Sequence, residues 1–185
     1  APIGGETPPA ATALRTAARQ ASQEIFDAAQ GDEHLSGMGT TLTALLFRQG
    51  RALFAHVGDS RAFLYRDGRL EQLSQDHSWI AEQVRAGVLD EDEAKESRFR
   101  HIITRSVGFE REVDADVFTV PVMSGDCFLL ATDGMCNYVE NDELSRILGR
   151  QYFRRVPRLL ADLANDRGGD DNITVVVVCA ANDAG

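Results

Sequence analysis

The sequence predicts an α+β fold in which two antiparallel sheets pack together and helices cover the outside. Three observations point there. Short strand patterns outnumber helical ones. Tight turns at Gln49-Gly50 and Asp67-Gly68 join neighbouring strands. The helical segments are amphipathic, so each must lay one face on an apolar surface. With 185 residues, 43% of them hydrophobic and 26% charged, the chain has the length and balance of one globular domain with a real core.

The elements follow in order. Residues 1–9, with Pro2, Pro8 and Pro9, read as a loop or tether, residues 10–181 as the domain, and residues 182–185 as a tail. From Ala10 to Gln30, Leu14, Ala17, Ala18, Ala21, Ile25, Ala28 and Ala29 recur at helical spacing, and Gly31 is a stop. Strands are expected at Thr40 to Arg48, Ala52 to Val57, Ala62 to Arg66 and Leu70 to Leu73, forming an antiparallel meander. Asp76 is placed to cap a helix that runs to Ala86 and stops at Gly87. The charged stretch from Leu89 to Arg100 reads as a mobile surface insertion. Strand patterns resume near Ile102-Ile103, at Val113 to Val120 and at Asp126 to Ala131. Helices are expected over Asp142 to Leu148, capped by Asn141, and over Arg158 to Asn165. The apolar run from Ile173 to Cys179 has the composition of a fully buried central strand.

Composition narrows the function. With 19 basic and 29 acidic residues the formal charge is −10, which argues against nucleic acid or an anionic membrane as partner. That acidity fits a site that gathers divalent cations, and it equally fits plain solubility. No run of 18 apolar residues marks a membrane span, and Ala1 to Gly5 lacks the character of a signal peptide. Cys127, Cys136 and Cys179 are odd in number and widely spaced, and they read as reduced, buried thiols. The compartment expected is the cytoplasm.

Three carboxylates stand at strand ends. Asp59 follows the strand through Val57, Asp133 follows Phe128 to Thr132, and Asp171 immediately precedes the last strand. Antiparallel neighbours set the end of one strand beside the start of the next, so the three can meet at one sheet edge. Carboxylates gathered beside a core repel one another, and a hard cation such as Mg²⁺ or Mn²⁺ removes that conflict. Each also has a local reading: Asp133-Gly134 as turn chemistry, Asp59-Ser60 as a turn or cap, and Asp170-Asp171-Asn172 as a solvated loop. His56 reads as a packed core histidine and Trp79 as a residue joining a helix to a sheet. His77 and His101 pair with no Cys or Ser in a recognisable triad. The Gly-rich run Ser36 to Thr41 has no following Lys and is not a nucleotide loop.

The same segments carry a resemblance. Val57-Gly58-Asp59-Ser60-Arg61, Gly37-Met38-Gly39-Thr40-Thr41, Leu73-Ser74-Gln75-Asp76-His77-Ser78 and Thr104-Arg105-Ser106-Val107-Gly108 resemble motifs of one family. So do Gly125-Asp126 with Leu129 to Met135, and Gly169-Asp170-Asp171-Asn172-Ile173-Thr174-Val175. That family is the metal-dependent, type 2C protein serine/threonine phosphatases, in their bacterial form. The resemblance implies a four-layer αββα sandwich and hydrolysis of phosphoserine and phosphothreonine in proteins by a metal-activated water. It implies two Mg²⁺ or Mn²⁺ ions and a possible third. Asp133 and Asp171 match ligands of one of the two, and Asp59 a residue of the third. It also implies phosphorylated protein substrates made by a serine/threonine kinase, and a flap at about residues 87–100. Some of the family's pattern is not here. An Arg-x-x-x-Glu-Asp segment and an Asp-Gly-Met-Gly-Gly-His segment, with early strands of the fold, are expected to be missing from this chain. Asn137 stands where relatives often have Asp, and Ser97-Arg98 where the flap usually has His-Pro. The alternative that follows is a phosphatase-like binding or regulatory module without catalysis.

Overall fold

The structure is a computed structural model that describes residues 9–99 and 102–181. Of the expected tether at residues 1–9, residues 1–8 lie outside the described residues, as do His101 and the tail at 182–185, and Pro9 already belongs to the first helix. The chain divides into two compact units, one of residues 1–58 and 77–121, the other of residues 59–76 and 122–185.

The first unit is built on helix α1 (Pro9–Gly31) and strands β1 (Leu42–Arg48), β2 (Arg51–Val57) and β5 (Asp116–Pro121), in the order β1-β2-β5, all antiparallel. β2 is central, and every residue after Arg51 is buried. The helix face read from the sequence does pack: Ala18 is buried with Val57, Val107, Val113 and Ala115, and Ala21 and Ile25 lie against them. Phe54 and Phe118 stack across β2 and β5 with ring centroids 4.9 Å apart. Helices α2 (Trp79–Arg85) and α3 (Glu91–Glu96) complete the unit.

The second unit holds β3 (Arg61–Arg66), β4 (Arg69–Gln72), β6 (Cys127–Ala131) and β7 (Val175–Cys179), in the order β4-β3-β6-β7. Helices α4 (Asp133–Cys136), α5 (Asn141–Arg150) and α6 (Val156–Asp166) accompany them. Phe63, Leu129, Met135, Leu144, Val156 and Leu160 form its core, each 1% exposed or less. The architecture is thus two antiparallel sheets flanked by helices, as expected.

Several details differ from expectation. The meander does not form: β1 pairs with β2 and β3 with β4, but β2 pairs onward with β5 and β3 with β6. Gly58, at φ +107°, turns the chain so that no β2–β3 ladder follows. Ser78, not Asp76, caps α2, its side chain accepting from the Ala81 N–H; Asp76 is taken by Arg61. Ile103 makes a single bridge to Ser78 rather than a strand. The charged insertion holds a helix, α3, because Asp90 and Glu93 form a reciprocal capping box. Trp79 meets Phe99 edge-on at 5.3 Å. Among the described residues β7 ends its sheet, and Val176 is 44% exposed. Cys127 and Cys179 are joined as a disulfide and are not free thiols. The antiparallel register of β6 and β7 sets them directly opposite, Cα to Cα 4.0 Å. No described helix is long and apolar enough to cross a membrane.

Candidate active site

Strand register decides where the three aspartates stand. Arg61 of β3 lies opposite Ala131 of β6, and Ala131 lies opposite Val175 of β7. Asp59 precedes Arg61 by two residues, Asp133 follows Ala131 by two, and Asp171 precedes Val175 by four. All three segments therefore leave the same end of the four-stranded sheet.

Backbone chemistry ties two of these segments together. Thr132 N–H donates to the Thr174 carbonyl at 3.1 Å, and Thr174 N–H donates to Thr132 Oγ1 at 3.0 Å. Thr132 Oγ1 in turn donates to the Asn172 carbonyl at 3.2 Å. Gly134, in the first turn of α4, lies so near the Asn172 carbonyl that a Cβ would come within 2.5 Å of it. The Asp133-Gly134 pair is therefore a packing requirement: only glycine lets α4 begin against the Asp171 loop. Asp171 itself is exposed and accepts from the Asn172 N–H at 2.6 Å. Its neighbour Asp170 accepts from the Tyr138 hydroxyl.

Asp59 feels the charge of Asp133. Burial pushes the Asp59 carboxyl above its ordinary range, and the Asp133 charge pushes it the same way. Asp76 does not join them as a free acid, because Arg61 grips it through Nε at 2.9 Å and Nη2 at 2.7 Å. Burial pushes the Cys136 thiol up to about 12, so it is no nucleophile at neutral pH. Among the described residues no group of three or more His, Cys, Asp or Glu is placed to hold a metal ion. The donors present still suit a hard cation. They are carboxylate oxygens, two of them repel each other, and Mg²⁺-type ions bind to one or two carboxylates while keeping water.

Other motif residues turn out to position the backbone. Gly58 N–H donates to His77 Nδ1 at 3.0 Å, and His77 N–H donates to the Gly58 carbonyl at 2.8 Å. This clamp fixes the residue just before Asp59. It also fixes the tautomer: with Nδ1 accepting, His77 Nε2 carries the proton and donates to Asp116 at 3.1 Å. Arg105 holds the other Asp116 oxygen at 2.8 Å. A Cβ on Gly58 would collide with Thr41, its own Cβ at 2.7 Å. Thr40 and Val107 exchange backbone bonds at 2.9 and 2.8 Å, and Gly108 N–H donates to Ser22 Oγ at 2.9 Å. Asp126 is wholly buried, held by Arg66 at 2.7 Å on both oxygens and by the Met123 N–H. His56 is the core histidine expected, with Nδ1 3.0 Å from Thr43 Oγ1. The roles of Arg61, Arg105 and His77 were not read from residue chemistry. Their partners lie 15, 11 and 39 residues away in the chain.

A profile of the family described as Protein phosphatase 2C matches residues 4–165. This chain belongs to the protein phosphatase 2C family. Serine/threonine phosphatase stp of Listeria monocytogenes is 36% identical over 168 residues, covering 90% of this chain and 67% of that protein. Solved structures agree. Stp1 from Staphylococcus aureus, a serine/threonine phosphatase, superposes with a TM-score of 0.89 at 30% identity, over 98% of this chain and 72% of that one. The catalytic domain of serine threonine protein phosphatase PstP, solved in complex with two manganese ions, gives 0.85 at 31% identity, over 98% of this chain and 74% of that one. This protein phosphatase 2C chain is accordingly a protein serine/threonine phosphatase, a metal-dependent hydrolase that acts on phosphoproteins. Its ordered motifs divide into carboxylates at the end of the four-stranded sheet and residues that hold backbone in place.

Proposed function

We propose that Asp133 and Asp171, with Asp59, are this chain's ligands for the catalytic divalent ions, manganese or magnesium. The observation that carries the reading is the common sheet end of the three segments, with the Asp133 turn clamped to the Asp171 loop. When bound, the metal supplies a Lewis acid and a water of lowered pKa, the means of hydrolysing a phosphoserine or phosphothreonine ester without a phosphoenzyme. The chain's own contribution is placement. The Thr132–Thr174 bonds hold Asp133 at the Asp171 loop, and the His77 clamp on Gly58 fixes the residue before Asp59. Arg61 keeps Asp76 from adding a further unpaired charge. The substrates are proteins phosphorylated by a serine/threonine kinase, whose signal the enzyme reverses. The flap at about residues 87–100, carrying α3, is where substrates are selected.

The test is phosphate release from a phosphothreonine peptide, with manganese or magnesium added. Asp133→Asn is expected to lower activity about a hundredfold, because it removes an anionic ligand of the ion that supplies the Lewis acid. Full activity in that variant would remove Asp133 from the site. A second reading, a phosphatase-like module that binds phosphoproteins without turnover, draws on the absence of a three-ligand group among the described residues. Tight phosphopeptide binding with no release at saturating manganese would favour it.

A further inference from the structure

Residues 146–158 contain five arginines, Arg146, Arg150, Arg154, Arg155 and Arg158, and no acidic residue, in a chain of formal charge −10. They span the end of α5, a 3-10 turn at Phe153–Arg155 and the start of α6, and all five are exposed. Several arginines elsewhere are matched to carboxylates, among them Arg61 to Asp76, Arg66 to Asp126, Arg105 to Asp116 and Arg167 to Glu143. Here only Arg158 has such a partner, Asp162 at 2.8 Å, and Arg146 reaches a backbone carbonyl. Among the described residues no carboxylate pairs with Arg150, Arg154 or Arg155. Between them Tyr152 is 58% exposed and meets Phe153 edge-on at 4.9 Å, and the Arg154 guanidinium lies 5.7 Å from the Phe153 ring.

We propose that this arginine–tyrosine surface docks an acidic segment of the phosphoprotein substrate, separate from the phosphoresidue that is hydrolysed. Guanidinium forks match carboxylates in pairs, and exposed Tyr and Arg side chains are those that anchor protein interfaces. The cationic stretch is short and the rest of the chain is acidic. A long polyanion such as RNA, or an anionic membrane, meets repulsion beyond the patch, whereas a peptide of a few acidic residues fits within it. The proposal rests on the phosphatase reading only for the peptide's being a substrate.

The first measurement is fluorescence anisotropy of a labelled, unphosphorylated Asp/Glu-rich peptide. Replacing Arg150, Arg154 and Arg155 together by Gln is expected to weaken binding about tenfold, and added salt to weaken the wild type. Lysine at the same three positions, which keeps the charge, should retain most of the binding and shows that the surface tolerates substitution. The second is kinetic. KM for a phosphothreonine peptide with acidic flanks should rise about tenfold in the Gln variant at unchanged kcat, while a neutral-flanked peptide and p-nitrophenyl phosphate are unaffected. Unchanged anisotropy in the Gln variant overturns the proposal. So does equal or tighter binding of a uridine oligonucleotide or phosphatidylserine vesicles. Binding lost in the Gln variant, with no phosphate released by either protein, keeps the docking surface and removes the catalytic reading instead.

Discussion

Asp126 shows how one residue type serves opposite purposes in this chain. Its carboxylate is fully buried, yet it accepts two bonds from Arg66 and one from the Met123 N–H, so its charge is satisfied. Among the described residues no ion pair holds Asp59 or Asp133, which is what the proposed metal reading of these two requires. Asp126→Asn should destabilise the fold by about 1–3 kcal/mol, because it strips the counter-charge from Arg66, whose side chain is 25% exposed. Urea unfolding measures this, and a loss under about 1 kcal/mol would mean that the pair behaves as a surface pair. From sequence, Gly125-Asp126 and Asp133-Gly134 were both visible as motif pieces. Only the second could be argued toward a metal, since nothing in the chain marks Arg66 as the partner 60 residues away.

Among the elements, the β6–β7 pair does the most. It carries Asp133 at one end and brings the Asp171 loop to that same end. At the other end Cys127 and Cys179 cross-link the strands. The bond closes a loop with a sequence separation of 52, for which chain entropy gives about 4 kcal/mol of stabilisation. Dithiol reduction should therefore lower the urea midpoint of this protein markedly, and a Cys127→Ser, Cys179→Ser variant should show the same midpoint with or without reductant. Equal midpoints for the oxidised and reduced wild type would show that strand pairing alone holds this edge. The sequence could not reveal the bond, because two cysteines in apolar runs look the same whether or not register sets them opposite. Five apolar residues in β7 imply burial on both faces; among the described residues the strand ends the sheet.

At the scale of the whole molecule, pH dependence follows from buried and paired groups. Asp116, Asp126 and Glu143 are held below the ordinary carboxylate range: burial opposes this, and the His77, Arg66 and Arg167 side chains respectively are the main groups that overcome or produce it. Below about pH 4 the unfolded chain binds protons that the folded chain refuses, so their stabilisation is present at neutral pH and lost in acid. His77 adds an upper limb. Burial holds its imidazole below the ordinary 6.5, so the unfolded histidine gains a proton first and stability begins to fall as pH drops below about 6.5. Urea midpoints measured from neutral to acid pH should decline in those two windows, and His77→Gln should lose the upper one and keep the lower. A single decline confined to the carboxylate range would mean that His77 titrates alike in both states.

By itself the sequence determined the family, the α+β class, most strands and helices within a few residues, and the three aspartates at strand ends. Those depend on local periodicity, turn chemistry and short ordered motifs, all of which are written along the chain. Tertiary structure alone decided which strands pair, that β2 and β3 join different sheets, and that Cys127 meets Cys179. It also decided which carboxylates meet an arginine, as Asp76 meets Arg61 and Asp126 meets Arg66. The physical reason is common to all of these: register and ion pairing are contacts between residues distant in the chain, and residue order does not encode which distant neighbour arrives.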